Sequence, residues 1–274
     1  MSEVSPADRA WWIGRLQRAT VTSCEDHVVA VLGRTYSGSG VLKVLSSTGE
    51  VEWVKAMGNA QGNQALTTER VVSGISDHLK LPAVDSHIIH IPGAFQGFEM
   101  DQWGQYRVVA GPAHASKHVE GAREGDSMKY RDRDSNAQRQ AGIFAMWDLF
   151  LGQDEQWIYD TSKDYSIWSF DHSLWLTRGE GDWNEELLTR LDSREWQPYV
   201  TPAGLDPSAL MQYAERLRRI EPAELIQVMN SVPVEWGTTD SDLEALAWFI
   251  YRRSSEVADR LEKMSDGILT CDSN

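Results

Sequence analysis

The chain of 274 residues contains only two cysteines, Cys24 and Cys271, far apart in sequence, so a disulfide-stapled scaffold is not expected. No apolar run reaches the roughly 18 to 20 residues that a membrane span needs. Basic side chains are also scarce. Against 41 acidic residues stand 26 Lys and Arg, a formal charge of -15 that repels nucleic-acid backbones and anionic membrane surfaces in bulk. Neither broad nucleic-acid binding nor membrane attachment is therefore expected. The start MSEVSPADRAWW lacks a basic segment followed by an apolar core, so no secretory signal is expected, and a reducing, cytoplasmic setting fits. The sequence has no G-x-x-x-x-G-K-[ST] and no G-x-G-x-x-G, which leaves P-loop and dinucleotide-fold readings unsupported. Repeats and low-complexity tracts are absent.

What is present divides by hydrophobic period. With 41% hydrophobic residues the chain can bury a sizeable core, and its length suggests two lobes. From Val21 to Val54, short apolar runs are broken by Tyr36-Ser37-Gly38-Ser39-Gly40 and by Ser47-Thr48-Gly49, the pattern of antiparallel strands and turns. Between Ala65 and Leu79 the period becomes helical, with Val72, Ile75 and Leu79 on one face and Leu81-Pro82 as the stop. A further strand pair is expected at His87-Ile91 and Tyr106-Ala110. After Pro112 the polar run HASKHVEGAREGDSMKYRDRDSN reads as irregular and marks a lobe boundary. The second half reads as helical except for a hairpin of Trp157-Tyr159 and Tyr165-Phe170. Its helices are expected at Ala137-Leu151, Pro207-Arg219, Pro222-Ser231 and Asp242-Lys263, the last opened by a capping box from Ser241 to Glu244.

The order of polar residues carries the chemistry. Lys55 lies on a strand-like run and Glu69 in a helical one, while Asp154, Asp160 and Asp171 punctuate the later hairpin. A lysine that steadies phosphates, a carboxylate that orients it, two carboxylates for Mg²⁺ and one more beside an attacking hydroxyl make up the equipment for ATP-dependent phosphoryl transfer. The turn Ser37-Gly38-Ser39-Gly40 can present backbone N–H groups to phosphates, and is equally an ordinary hairpin turn. His87 with His90, and His114 with His118, lack the further ligands of a zinc motif and read as ordinary polar residues. Trp147, Trp157, Trp168 and Trp175, among twelve tryptophans, read as core packing, with one of the twelve available to stack on adenine.

The stretch Val54-Lys55-Ala56-Met57-Gly58-Asn59-Ala60-Gln61-Gly62, followed by Leu66, Glu69 and Leu81-Pro82, resembles the HipA-like kinase domain. So do Phe144 to Phe150, the Gly152 loop, Ile167-Trp168-Ser169-Phe170-Asp171-His172, and the closing segment from Ile226 through Val232-Pro233-Val234-Glu235-Trp236 to Arg252-Arg253. The resemblance runs from about Val28 to Leu261. It implies a Ser/Thr hydroxyl of a protein as phosphate acceptor, Asp160 in the place of a metal-binding asparagine, and a catalytic base in the loop Gln153-Asp154-Glu155-Gln156-Trp157. There the sequence departs from the family's Asn-x-Asp-Arg-His. An ungapped match puts Glu155 on the base position and a one-residue slide puts Asp154 there, while Gln156 and Trp157 replace the bracing arginine and histidine.

The expectation is thus an α+β, two-lobed, protein-kinase-like fold. It comprises an N-terminal extension (1–20), a strand-rich lobe with the Glu69 helix (21–112), a helical lobe with the catalytic loop and hairpin (113–264) and a flexible tail (265–274). ATP-binding residues are Lys55, Glu69 and the Ser37–Gly40 turn, metal ligands Asp160 and Asp171, and the base Asp154 or Glu155. ATP and Mg²⁺ are the expected cofactors and a protein is the expected substrate or partner. Two other classes remain open: a pseudokinase acting as a nucleotide-binding or interaction module, and a small-molecule kinase.

Overall fold

A computed structural model describes residues 5–20, 26–35, 40–125, 127–153, 156–177, 182–195 and 201–271. After a short helix α1 (Arg9–Trp12), the strands β1 (Val28–Arg34), β2 (Leu42–Ser46) and β3 (Val51–Met57) form an antiparallel meander. Helix α2 (Asn63–Leu79) follows, then β4 (Ser86–Ile91) and β5 (Val109–Lys117), and the five strands make one sheet in the order β1-β2-β3-β5-β4. The chain just before β1 bridges to β4 through His27 and His90, so the sheet curls until its two edges meet. Its inner face holds a small core of Leu42, Val44, Val54, Ile89, Ala113 and Ala115.

Polarity hid the middle of that sheet. The strand pair expected at His87-Ile91 and Tyr106-Ala110 is shifted: His87 pairs with Ala115 and Ile91 with Gly111, while Tyr106 and Val108 bond back to Met100 and Phe98 in their own loop. The boundary placed after Pro112 accordingly falls inside β5, which pairs on both sides, and 113–117 belong to the first lobe. Ala113 and Ala115 face the core and His114 and Ser116 the other side. This period-2 pattern of small residues carries too little hydrophobicity to announce a strand.

The second lobe opens with β6 (Ala122–Gly125), then helix α3 (Asn136–Leu149) and the hairpin β7 (Trp157–Asp160) and β8 (Ser166–Ser169), which with β6 forms a three-stranded sheet. Helices α4 (Glu185–Leu191), α5 (Pro207–Arg218), α6 (Pro222–Asn230) and α7 (Asp240–Cys271) complete it around one core that includes Phe144, Trp147, Trp157, Trp175, Leu188 and Phe249. The cap of α7 is Thr239, whose hydroxyl accepts from the Asp242 N–H and donates to its carboxylate, two residues before the expected box. Helix α7 continues through 265–271, where a flexible tail was expected. The N-terminal extension is docked: Trp12 is buried against Tyr251, and the Trp248 indole donates to the Ala7 carbonyl.

The lobes are stitched together around α2. Gln64 exchanges two hydrogen bonds with the Trp183 backbone, the Trp183 indole donates to Thr68, and Thr67 bonds Thr238 at 2.7 Å. Arg70 donates to the Ser231 hydroxyl, and Gly74 lies so near Val228 that an added Cβ would sit 2.9 Å from it. The Trp236 indole donates to the Pro112 carbonyl of β5, and the backbone at Pro82 and Val84 pairs with Ser169 at the end of β8.

Arg253 of α7 is wholly buried. Its guanidinium donates to the carbonyls of Leu149, Asp148, Leu191, Asp192 and Arg194 and to the Asp148 carboxylate, which Arg260 also holds. The planar fork satisfies the carbonyls ending α3 and α4 at once, a task an ammonium cannot copy. Arg253→Met should therefore lower the free energy of chemical unfolding by about 3 kcal/mol or more. An unchanged denaturation midpoint would show that water replaces the guanidinium without cost.

Candidate functional site

Lys55 stands on β3 with its side chain on the sheet face turned toward α2, and there it is buried. Its ammonium lies 2.9 Å from Glu69 Oε1 on α2 and 2.9 Å from Asp171 Oδ1, two residues beyond β8. The turn between β3 and α2 sets this approach. Gly58 has φ +83 and passes so close to Arg107 that a Cβ would fall 2.3 Å from its carbonyl oxygen, so only glycine fits. Asn59 then braces the turn, donating to the carbonyls of Ala56 and Gly62 and accepting from the Gln61 N–H. The glycine- and asparagine-rich stretch thus has a complete structural account: it aims α2.

Glu69 uses both oxygens. Oε1 takes Lys55, while Oε2 accepts the backbone N–H of His172 at 3.1 Å and lies 3.5 Å from the His172 ring. Asp171 adopts a left-handed backbone (φ +53), a conformation aspartate tolerates better than most residues, and its Oδ1 also accepts from the Ser173 hydroxyl. Burial alone would raise the Glu69 pKa, but the Lys55 ammonium and the His172 hydrogen bond hold it well below the ordinary carboxylate range. For Lys55, burial acts to lower the pKa and the two carboxylates outweigh it, so its value is raised and the charge stays. His114, beside Lys55 on β5, is pulled down to about 4 by burial, with Glu69 only partly opposing, and is neutral at neutral pH.

This constellation opens on a cavity of about 500 Å³, within the range of small-molecule sites. Thr35 and Val41 rim it from the β1–β2 side, Trp53 and Ser116 line the sheet, and Gln156, Ile158 and Phe170 form the opposite wall. Its charged lining consists of Lys55 and Lys117 against Glu69, Glu124 and Asp171, one net negative charge, so a polyphosphate fits there only with a cation of its own.

Lys55, Glu69 and Asp171 are brought together; Asp160 is not. Asp160 ends β7 at the closed end of the hairpin, paired with Ser166, whereas Asp171 follows the open end where Trp157 pairs with Ser169. The three-residue rise between those ends is about 10 Å. The Asp160 carboxylate caps the turn, accepting from the Ser162 N–H and hydroxyl, and Lys163 lies 3.5 Å away; it lines a separate recess of about 260 Å³. Burial would raise its pKa and the Ser162 hydrogen bonds lower it, with lowering the net result. The metal pair expected of Asp160 and Asp171 is therefore not assembled, because turn chemistry claims the first of them.

Gln156 stands out in the sequence only as the replacement of a bracing arginine, and its place in the cavity is a finding of the structure. It immediately precedes β7 and shares the cavity wall with Asp171, as the open end of the hairpin requires. Counting outward from the strand rather than along a motif would have found it. Asp154, Glu155, Ser37, Gly38 and Ser39 lie outside the described residues. Gly40 is described, at φ +64 against Met100. Trp147, Trp157 and Trp175 pack together in the core and Trp168 lies under Arg139; among the described residues, the tryptophan lining the cavity is Trp53.

No protein-family model matches the chain, and no curated protein matches it. Among solved structures, the chain is similar to the Helicobacter pylori proinflammatory kinase CtkA. That match has TM-score 0.59 and 11% identity, and covers 92% of this chain and 99% of the other. A second match, to the golgi casein kinase, has TM-score 0.47 and 10% identity and covers 93% of this chain and 77% of that one. The fold is kinase-like, with an antiparallel N-terminal sheet and a larger helical C-terminal part.

The buried pair makes stability depend on pH in a defined direction. Because the folded-state pKa of Glu69 is depressed, its contribution is fully present above the unfolded value near 4.5 and is lost as pH falls toward the folded value. Glu69→Gln should cost about 3 to 5 kcal/mol at pH 7 by leaving Lys55 short of a buried partner. The gap from wild type should narrow below pH 4.5; a gap independent of pH would show that packing, not charge, is what Glu69 supplies.

Proposed function

We propose that this chain is an ATP- and Mg²⁺-dependent phosphotransferase of HipA-like type, acting on a Ser or Thr hydroxyl of a protein. The observation that carries the reading is the Lys55 ammonium held between Glu69 and Asp171 at the floor of the cavity. The overall likeness to a solved kinase supports it.

In this reading Lys55 holds the α- and β-phosphates, kept in place by Glu69 from behind. Asp171, which lines the cavity together with Gln156, would be the residue to hold the nucleotide-bound cation. The donor set fits such a cation: Asp171 is partly open to solvent, and the lining is short of positive charge. Mg²⁺, when bound, supplies neutralisation of the phosphate charge. Neutral His114 adds no charge that would compete with Lys55 for the phosphates. Asp154 and Glu155 directly precede Gln156 in sequence, and either carboxylate is the candidate to take the acceptor's proton; Asp154, the residue type the HipA-like family uses, is the first choice.

Mg²⁺ with ATP at 100 times its dissociation constant should stabilise the wild-type fold by about 2.7 kcal/mol. Lys55→Met should lose most of that stabilisation and Asp171→Asn its magnesium-dependent part, read as melting-temperature shifts. Transfer of labelled γ-phosphate to the chain itself or to a mixed protein substrate should vanish in Asp154→Asn and persist in Glu155→Gln. An unshifted wild-type melt across millimolar Mg-ATP would sink the nucleotide reading, and binding without any transfer would make the chain a pseudokinase.

A further inference from the structure

On the inner face of the curled sheet, away from the cavity, three side chains distant in sequence converge. His87 of β4 places Nε2 3.5 Å from Asp26 Oδ2 and 3.6 Å from Glu52 Oε1 of β3. One ligand atom from each residue lies within 4.8 Å of the other two. Four-coordinate zinc, with bonds of 2.0 to 2.2 Å to nitrogen and carboxylate oxygen, keeps neighbouring ligand atoms about 3.4 Å apart. Both measured separations lie close to that value.

Each ligand is presented by its surroundings. The Oδ1 atom of Asp26 is fully engaged, accepting from the His27 N–H at 2.9 Å, the Ser47 N–H at 3.1 Å and the Ser47 hydroxyl at 2.6 Å, which turns Oδ2 toward His87. The Asp26 carbonyl accepts from the His90 N–H, so the backbone there is tied to β4. Glu52 is the informative member. Only 4% of it is exposed, its Oε2 is buried with no hydrogen-bond partner, and among the described residues no lysine or arginine forms an ion pair with it. A buried carboxylate left in this state is costly unless a cation meets it. Ala115, which pairs with His87 on the strand between it and Glu52, contributes only a methyl group there, and the next same-face residue of that strand, Lys117, pairs with Glu52. His87 is partly exposed and provides the route from solvent.

We propose that Asp26, Glu52 and His87 form a binding site for a divalent transition-metal ion, zinc by its ligand set, which pins the chain before β1 to β3 and β4. One imidazole and two carboxylates suit a first-row ion better than Mg²⁺, which demands near-ideal octahedral geometry and usually keeps several waters, or Ca²⁺, which takes six to eight oxygens. Three protein ligands leave a fourth position for water. The site is independent of the nucleotide reading, since it lies on the opposite face of the sheet from Lys55.

The full chain, stripped with a chelator and dialysed against ZnCl₂, should retain one equivalent of zinc by elemental analysis and melt at a higher temperature than the stripped form. His87→Ala, a change at a partly exposed position, should lose that equivalent and weaken zinc binding by more than the roughly 10- to 100-fold typical of removing an outer-shell partner. Glu52→Gln should lose it too, yet should fold without metal at least as stably as the stripped wild type, because it removes a buried carboxylate whose Oε2 has no hydrogen-bond partner. Co²⁺ should give the visible absorption of a four-coordinate site in wild type and not in His87→Ala. Equal zinc retention by wild type and His87→Ala, or no retention by either, overturns the proposal and leaves the three residues as a polar cluster around the imidazole.

Discussion

A lysine cannot be left alone in a protein interior, and the arrangement around Lys55 follows from that constraint. Its ammonium is met by carboxylates from two separate stretches of chain, one on α2 and one beyond β8, and the second oxygen of Glu69 takes a backbone N–H from that same later stretch. Removing Lys55 or Glu69 leaves its buried partner short of a counter-charge, a penalty of several kcal/mol. The first lobe and the hairpin of the second are thereby bound into one electrostatic unit, and the cavity lies where they meet.

Much of this was legible in the sequence because it depends on local period and local chemistry. The β1–β3 meander, the helix after Gly62 and the Trp157–Phe170 hairpin were readable from alternation, turn residues and helical spacing. Lys55, Glu69 and Asp171 were readable as an ordered set because each stands where a strand or helix must end or face inward. β5 was not, because Ala-His-Ala-Ser has the right alternation with almost no hydrophobic contrast. Asp160 misled for a related reason: an acidic residue at a strand end looks the same whether it serves a turn or a ligand, and only the pairing of Asp160 with Ser166 shows which end of the hairpin it occupies.

Contacts that join distant segments lay beyond such reading altogether. Nothing near His87 signals Asp26 or Glu52: the register of β3, β5 and β4 brings Glu52 near it, and the bridge between His27 and His90 brings Asp26. The same holds for Arg253, whose neighbour Arg252 is an ordinary surface residue paired with Asp192. Two adjacent arginines of one helix thus have opposite fates, decided by which side of α7 meets the ends of α3 and α4.

The grip on α2 has a consequence for control. Where a protein-kinase fold is switched by moving the helix that bears the lysine's glutamate, that helix must be free to slide or rotate. Here Gln64, Thr67, Thr68 and Arg70 are each tied to the larger lobe, and Gly74 is wedged against Val228. Swinging α2 outward would break five side-chain hydrogen bonds as well as the Lys55 contact. The helix is a dowel between the lobes, which leaves the mobile choices to whatever reaches the cavity from its rim.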